Sequence, residues 1–182
     1  MILIGISGKK GSGKDTACQI IRRLIGEDNV LRLAFADALK EEVSAACCIS
    51  VRQIEEQKAV FRPILQWWGT EFRRGLFGDT YWIERLNERL EAARQCHQPV
   101  CIVTDVRFQN EAEAIRAAGG CLLRIHRPTA PTNDAHPSET VMDGYRFDDV
   151  IDNSGTISEF EGNICDWMGR FGKTLLVPGG VR

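Results

Sequence analysis

Three glycines and a lysine stand together near the N-terminus: Gly8, Gly11, Gly13 and Lys14, in the order G-x-x-x-x-G-K from Gly8. Glycine lets the backbone curl so that several N–H groups point at one anion. Lysine adds a point charge that reaches outer phosphates. The next residues are Asp15 and Thr16, whereas a standard phosphate loop places Ser or Thr directly after the lysine to hold magnesium. Asp15 could bind the metal itself or through water, and Thr16 could still reach an inner phosphate. The alternative is a glycine turn that merely caps a helix, with Asp15 favourable in its first turn. The coincidence of strand, glycines, lysine and helix argues against it.

Two further constellations carry chemistry. The apolar run Val100-Cys-Ile-Val103 leads through Thr104 to Asp105, with Arg107 two residues on. An acid at the end of a buried strand can orient hydrated Mg²⁺ against phosphates, and we favour metal or phosphate duty for Asp105 over a helix cap. Arg62, Gln66, Trp67, Trp68, Gly69, Thr70, Glu71, Arg73 and Arg74 concentrate guanidinium and aromatic groups in one stretch. Paired tryptophans on a helix are usually core. Arginine with flat aromatic walls also suits a pocket for a phosphate and a base. Asp37, where a strand hands over to a helix, reads equally as an N-cap or a ligand. His136 reads as structural, because phosphoryl transfer relies on positioning and charge rather than on a histidine base.

The elements that must position these groups follow from apolar spacing. Ile2 to Ile6 reads as a buried parallel strand, and Ala17, Ile20, Ile21, Leu24 and Ile25 as a helix ending near Gly26. Val30 to Ala36 is expected as a second strand, followed by a helix with Leu39, Val43 and Ala46 on one face. Residues 52 to 94 read as helical, interrupted near Arg62-Pro63 and at Gly75 to Asp79. Ile83, Leu86, Leu90 and Ala93 form one core stripe. Pro99 to Thr104 is the next strand. Phe108, Ala112, Ile115 and Ala118 mark a short helix closed by Gly119-Gly120. Cys121 to His126 and Asp148 to Asp152 are the fourth and fifth strands. Ile157, Phe160, Ile164, Trp167 and Phe171 stripe the last helix. Arg127 to Ser138 holds three prolines, a loop long enough to serve as a lid.

The chain of 182 residues is expected to form one domain with room for a subdomain or lid. Its 43% hydrophobic and 26% charged content suits a packed core. A formal charge of −2 argues against stable nucleic-acid binding or an anionic membrane surface. The seven cysteines form no C-x-x-C pair, which reads as reduced thiols in a cytosol. The first apolar run is short, so no signal peptide is expected, and no stretch approaches a membrane span. The chain is expected to be cytoplasmic and a monomer or homodimer.

The assembled residues resemble the phage-type deoxynucleoside monophosphate kinases, a branch of the P-loop nucleoside monophosphate kinases. The matching pieces are Ser7-Gly8-x-x-x-Ser12-Gly13-Lys14-Asp15-Thr16, Phe35-Ala-Asp-x-Leu-Lys40, Gln66-x-x-Gly69-Thr70-Glu71-x-x-Arg74 and Thr104-Asp105-Val-Arg107-Phe-x-Asn110-Glu111. They continue with His136-x-Ser138-Glu139 and Asp152-Asn153-Ser-Gly-Thr156. The resemblance implies ATP-dependent phosphorylation of a deoxynucleoside 5′-monophosphate to its diphosphate, with Mg²⁺. It implies an α/β fold of three layers: a five-stranded parallel sheet with helices on both faces. The core would span 1–36, 97–127 and 147–172, the helical NMP-binding insert about 37–96 and the lid about 127–140.

By that resemblance, Gly8, Lys10, Gly11, Ser12, Gly13, Lys14, Asp15 and Thr16 hold the ATP phosphates, and Asn153 and Thr156 sit near the ATP base. Asp15 and Asp105 serve the metal. Asp37, Lys40, Arg62, Gln66, Gly69, Thr70, Trp82, Asp105, Arg107 and either Arg73 or Arg74 surround the acceptor, with Trp67 or Trp68 stacking on its base. Lys14, Asp15, Arg107 and Arg127 act on the transferring group. Two competing readings keep less of this: a P-loop kinase of another phosphorylated small molecule (phosphomevalonate or dephospho-CoA type), and a nucleotide-binding regulator without catalysis.

Overall fold

The computed structural model describes residues 1–128 and 141–175. Five strands form one parallel sheet in the order β2-β3-β1-β4-β5: β1 Ile2–Ser7, β2 Val30–Leu33, β3 Val100–Val106, β4 Cys121–His126 and β5 Asp149–Asp152. Because side chains alternate along a strand, each strand feeds two cores. Ile4, Ile6, Val100 and Ile102 pack with Ala17, Ile20 and Ile21 of helix α1 (Lys14–Ile25) and with Phe160, Ile164 and Trp167 of the last helix. Leu3, Cys101, Val103 and Leu122 pack on the opposite face against the remaining helices. The three-layer, five-stranded architecture expected from the sequence is the one observed.

The chain between β2 and β3 is helical: α2 Phe35–Cys47, α3 Val51–Glu56, α4 Lys58–Gln66, a π-helical segment Trp67–Arg74, the single turn α5 Gly75–Phe77, and α6 Tyr81–Gln95. After β3 come α7 (Gln109–Ala117), β4, β5 and α8 (Ile157–Leu175).

Several expected boundaries shift. β2 ends at Leu33, not Ala36, because the N–H groups of Phe35 and Ala36 donate to the Asp105 carboxylate and start α2 there. Pro63 does not interrupt its helix; the break falls at Gln57, between α3 and α4. Proline still removes one i→i−4 bond, and four residues later the helix has widened to π geometry. Ala46 is exposed, and Lys40 takes a buried place on α2 beside Ala38 and Val43. β5 begins at Asp149 rather than Asp148. The expected lid, with His136, Ser138 and Glu139, lies from residue 129 onward outside the described residues.

All seven cysteines are free thiols. Burial pushes Cys18 up to about 11 and Cys121 up to about 12, so both behave as small apolar groups. Among the described residues, no helix is long and apolar enough to cross a membrane.

Candidate active site

The glycine loop leaves β1 at Ser7 and closes on the first turn of α1. Gly8 and Gly13 adopt φ of 151° and 100°, a region that L side chains rarely adopt. A Cβ at Gly8 would lie 2.6 Å from the Ile125 carbonyl oxygen, and one at Gly13 would lie 2.5 Å from Asn153 Nδ2. Those close approaches have a purpose. Asn153 is buried, and its Nδ2 donates to the Ser12 carbonyl at 2.8 Å, clamping the loop to the end of β5. Lys14 bends back over the loop, its Nζ donating to the carbonyls of Gly8 (2.6 Å) and Lys9 (2.8 Å). The neighbouring Lys9 binds Asp143 at 3.1 Å, and Arg124 binds Asp143 and the Met142 carbonyl. Asp143 is pulled up by burial but held below the ordinary carboxylate range by those two cations.

A cavity of about 510 Å³ opens beside the loop. Lys10, Gly11, Lys14 and Asp15 line its loop end; Lys40, Arg62, Gln66, Gly69, Thr70, Arg74, Trp82, Asp105 and Arg107 line the rest. Thirteen residues expected at the site thus share one cavity although they come from α1, α2, the α4–π stretch, α6 and β3. Its apolar wall is formed by Phe35, Leu39, Leu65 and Phe108. Trp82 is anchored through its Nε1, which donates to the Gly69 carbonyl at 2.9 Å.

Of Arg73 and Arg74, it is Arg74 that lines the cavity. This guanidinium is 8% exposed, lies 4.0 Å over the Phe108 ring, and donates to Glu111 Oε1 at 2.5 Å and to the Asp79 carbonyl at 3.2 Å. Arg73 points elsewhere. It donates to Glu42 at 2.6 Å and sits among the rings of Trp68, Phe72, Phe77 and Tyr81.

Other residues expected at the site lie outside the cavity or have partners of their own. Neither tryptophan of the pair reaches the cavity. Trp67 is 53% exposed and stacks on Phe72 at 5.5 Å, and Trp68 Nε1 donates to Glu42 at 2.9 Å. The helical repeat sends residues one apart to different faces, so Gln66, Gly69 and Thr70 face inward while the indoles do not. Asp37 lies in the first turn of α2 rather than at its N-cap. It accepts two bonds from Arg32 Nη1, at 2.9 and 3.0 Å, and does not line the cavity. Asp105 has a capping role: its two oxygens accept from the N–H groups of Phe35 (2.8 Å) and Ala36 (2.9 Å) at the start of α2. Lys40 is paired with Glu55 of α3. Thr156 caps α8, bonded to Glu159 through its N–H and its hydroxyl. Gly8, Ser12, Gly13 and Thr16 build the loop without lining the cavity, and Arg127 is an exposed residue outside it.

Glu111 is the main residue that sequence reasoning left without a role. It is 3% exposed, and besides Arg74 it accepts from the N–H groups of Arg107 (2.8 Å) and Phe108 (3.1 Å). Burial pushes its carboxyl up to about 7 against the opposing pull of Arg74 and those amides. Its position in the first turn of α7, three residues after Phe108, is a capping-box place and a usable local signal. Glu42, which gathers Trp68, Arg73 and Tyr81, has no such signal, since its partners lie far along the chain.

Residues 45–164 match the family model described as deoxynucleotide monophosphate kinase. The chain is 35% identical over 186 aligned residues to a putative deoxynucleotide monophosphate kinase of Acanthamoeba polyphaga mimivirus, covering 90% of this chain and 94% of that protein. It is 29% identical over 109 residues to the deoxynucleotide monophosphate kinase of Enterobacteria phage T4, covering 60% and 45%. A gluconokinase from Sinorhizobium meliloti shares the fold, with a TM-score of 0.54 at 16% identity over 96% of this chain and 95% of that one. The family match begins after the glycine loop and takes in the α4–π stretch, β3 and α7, which contribute to the far wall of the cavity. The chain therefore belongs to the deoxynucleotide monophosphate kinase family.

Proposed function

We propose that this protein transfers the terminal phosphoryl group of ATP to a deoxynucleoside 5′-monophosphate, releasing ADP and the diphosphate. One observation carries the reading: a single cavity has a phosphate loop at one end and Lys40, Arg62, Arg74 and Arg107 around the other. One cradle suits a triphosphate and the second a phosphorylated acceptor. A regulator that only binds ATP needs no second cradle. The apolar wall of Phe35, Leu39, Leu65 and Phe108, with Gln66 as a polar partner, suits a flat base better than a branched acid. In this reading residues 37–96 form the acceptor-binding insert and about 127–140 the lid.

The acceptor phosphate is already an anionic nucleophile, so in-line transfer requires no general base. The obstacle is repulsion between two anions. Lys14 must exchange the carbonyls of Gly8 and Lys9 for phosphate oxygens, which recovers the bonds it gives up. Arg74 is held ready by Glu111 and Phe108 and needs no reorganisation when charge arrives. Bound Mg²⁺ would supply further neutralisation of the phosphates. Asp15 and Asp105 fit it through its water shell, since Mg²⁺ is commonly carried on phosphates with one or two carboxylates. The described residues hold no cluster of three or more metal-ligating side chains that would cage an ion alone.

The test is ADP release across the four deoxynucleoside monophosphates and their ribose counterparts. At least one deoxynucleotide should drive release stoichiometric with diphosphate formed. Release that is independent of any acceptor, or absent with all eight, would overturn the reading.

A further inference from the structure

Thr104 carries a hydroxyl that the fold does not use. The residue is 2% exposed, and its Oγ1 has no hydrogen-bond partner among the described residues. Leaving such a group unpaired costs stability, and valine has the same shape without that cost. Thr104 lines the cavity with Lys14 and Asp15, and its hydroxyl is covered in the ligand-free chain.

The strand is irregular at this point. Gly5 pairs with Val103 and Ser7 with Val106, so β3 has one more residue than β1 in this interval. Thr104 and Asp105 together face Ile6, which makes a β-bulge. Both residues line the cavity at this end of the strand. Val100 and Ile102 pack against α1, and Thr104 continues their row on the side of the glycine loop. Asp105 turns toward the start of α2 instead.

Asp15 stands directly after Lys14, where a standard phosphate loop has Ser or Thr. We infer that the Thr104 hydroxyl is a catalytic hydrogen-bond donor to a non-bridging oxygen of the transferring phosphate, supplied from β3 rather than from the position after Lys14. The proton stays on Oγ1 and no bond to Thr104 is made or broken. The inference rests on the phosphoryl-transfer reading above.

Thr104→Val and Thr104→Ser test it against the wild type in three measurements. Thermal melting of the ligand-free Thr104→Val protein should match or exceed the wild type. Its kcat, and its calorimetric affinity for a bisubstrate mimic with adenosine and deoxynucleoside joined through a polyphosphate, should each fall roughly 10- to 100-fold, the range for a hydrogen bond to a charged group. Thr104→Ser should restore both. Wild-type turnover and mimic affinity in Thr104→Val would overturn the inference, and so would a melt clearly below the wild type, which would make the hydroxyl structural. If the wild type binds the mimic but transfers nothing, the transfer reading fails by itself, and the three mimic affinities still decide on Thr104. A wild type that does neither overturns both.

Discussion

Two side chains at the site are held by very different means. Lys14 rests on loop carbonyls and is free to exchange them for phosphate oxygens, so its contribution belongs to turnover and not to the fold. Lys14→Ala should lower kcat by at least about 100-fold, as loss of a preorganised charge-stabilising donor does, with unchanged circular dichroism and melting. Glu111 is the opposite case. It is buried against Arg74 and two backbone amides, and its removal strands a buried guanidinium. Glu111→Ala should cost about 3–5 kcal/mol in chemical denaturation, the range for breaking a buried ion pair. Trp67→Ala, at an exposed position outside the cavity, should change stability by less than about 1 kcal/mol and leave the acceptor KM unaltered. A large rise in that KM would return the indole to the base pocket.

At the scale of elements, the site is a meeting of strand ends and helix starts. Asp105 at the end of β3 caps α2, and Glu111 in α7 holds Arg74 of the π-helical segment; each ties the helical insert to the sheet. A π segment is rarer and less regular than an α-helix and recurs at functional sites. Here it brings Gly69, Thr70 and Arg74 to one cavity wall. Asp105→Ala removes both acceptors from the start of α2 and should cost about 1 kcal/mol, typical of a lost cap. Asp105→Asn keeps one carbonyl acceptor and should lose less. Equal urea midpoints for both variants and the wild type would show that the cap is not stabilising.

For the whole molecule, the buried Glu111 sets a pH dependence. Between the ordinary carboxylate value of 4.5 and about 7, the native protein keeps a proton there that the unfolded chain has released. Stability therefore falls as pH rises through that window and levels off above it. Glu42 and Asp143 act with the opposite sign. Burial raises both, but their hydrogen bonds outweigh it and hold them below their ordinary values. The stability they contribute is lost as pH falls into the acid range. Urea midpoints measured from pH 3 to 9 should pass through a maximum near the lower end of the Glu111 window. Glu111→Gln should flatten the descending limb, and a limb unchanged in that variant would place its origin elsewhere.

Local spacing was enough to determine much of this protein. Apolar periods, glycines and the lysine marked the five strands, the loop and most helices, because such signals act over a few residues and match the burial each element needs. The family resemblance, carried over residue by residue, named thirteen of the residues that line the cavity. Tertiary structure alone put Arg74 rather than Arg73 at the cavity, turned both tryptophans away from it, gave Asp105 a helix to cap and gave Glu111 its arginine. Each of those outcomes depends on where a side chain points across elements distant in the chain, and a bulge or a π turn changes that direction without changing the pattern of residue types.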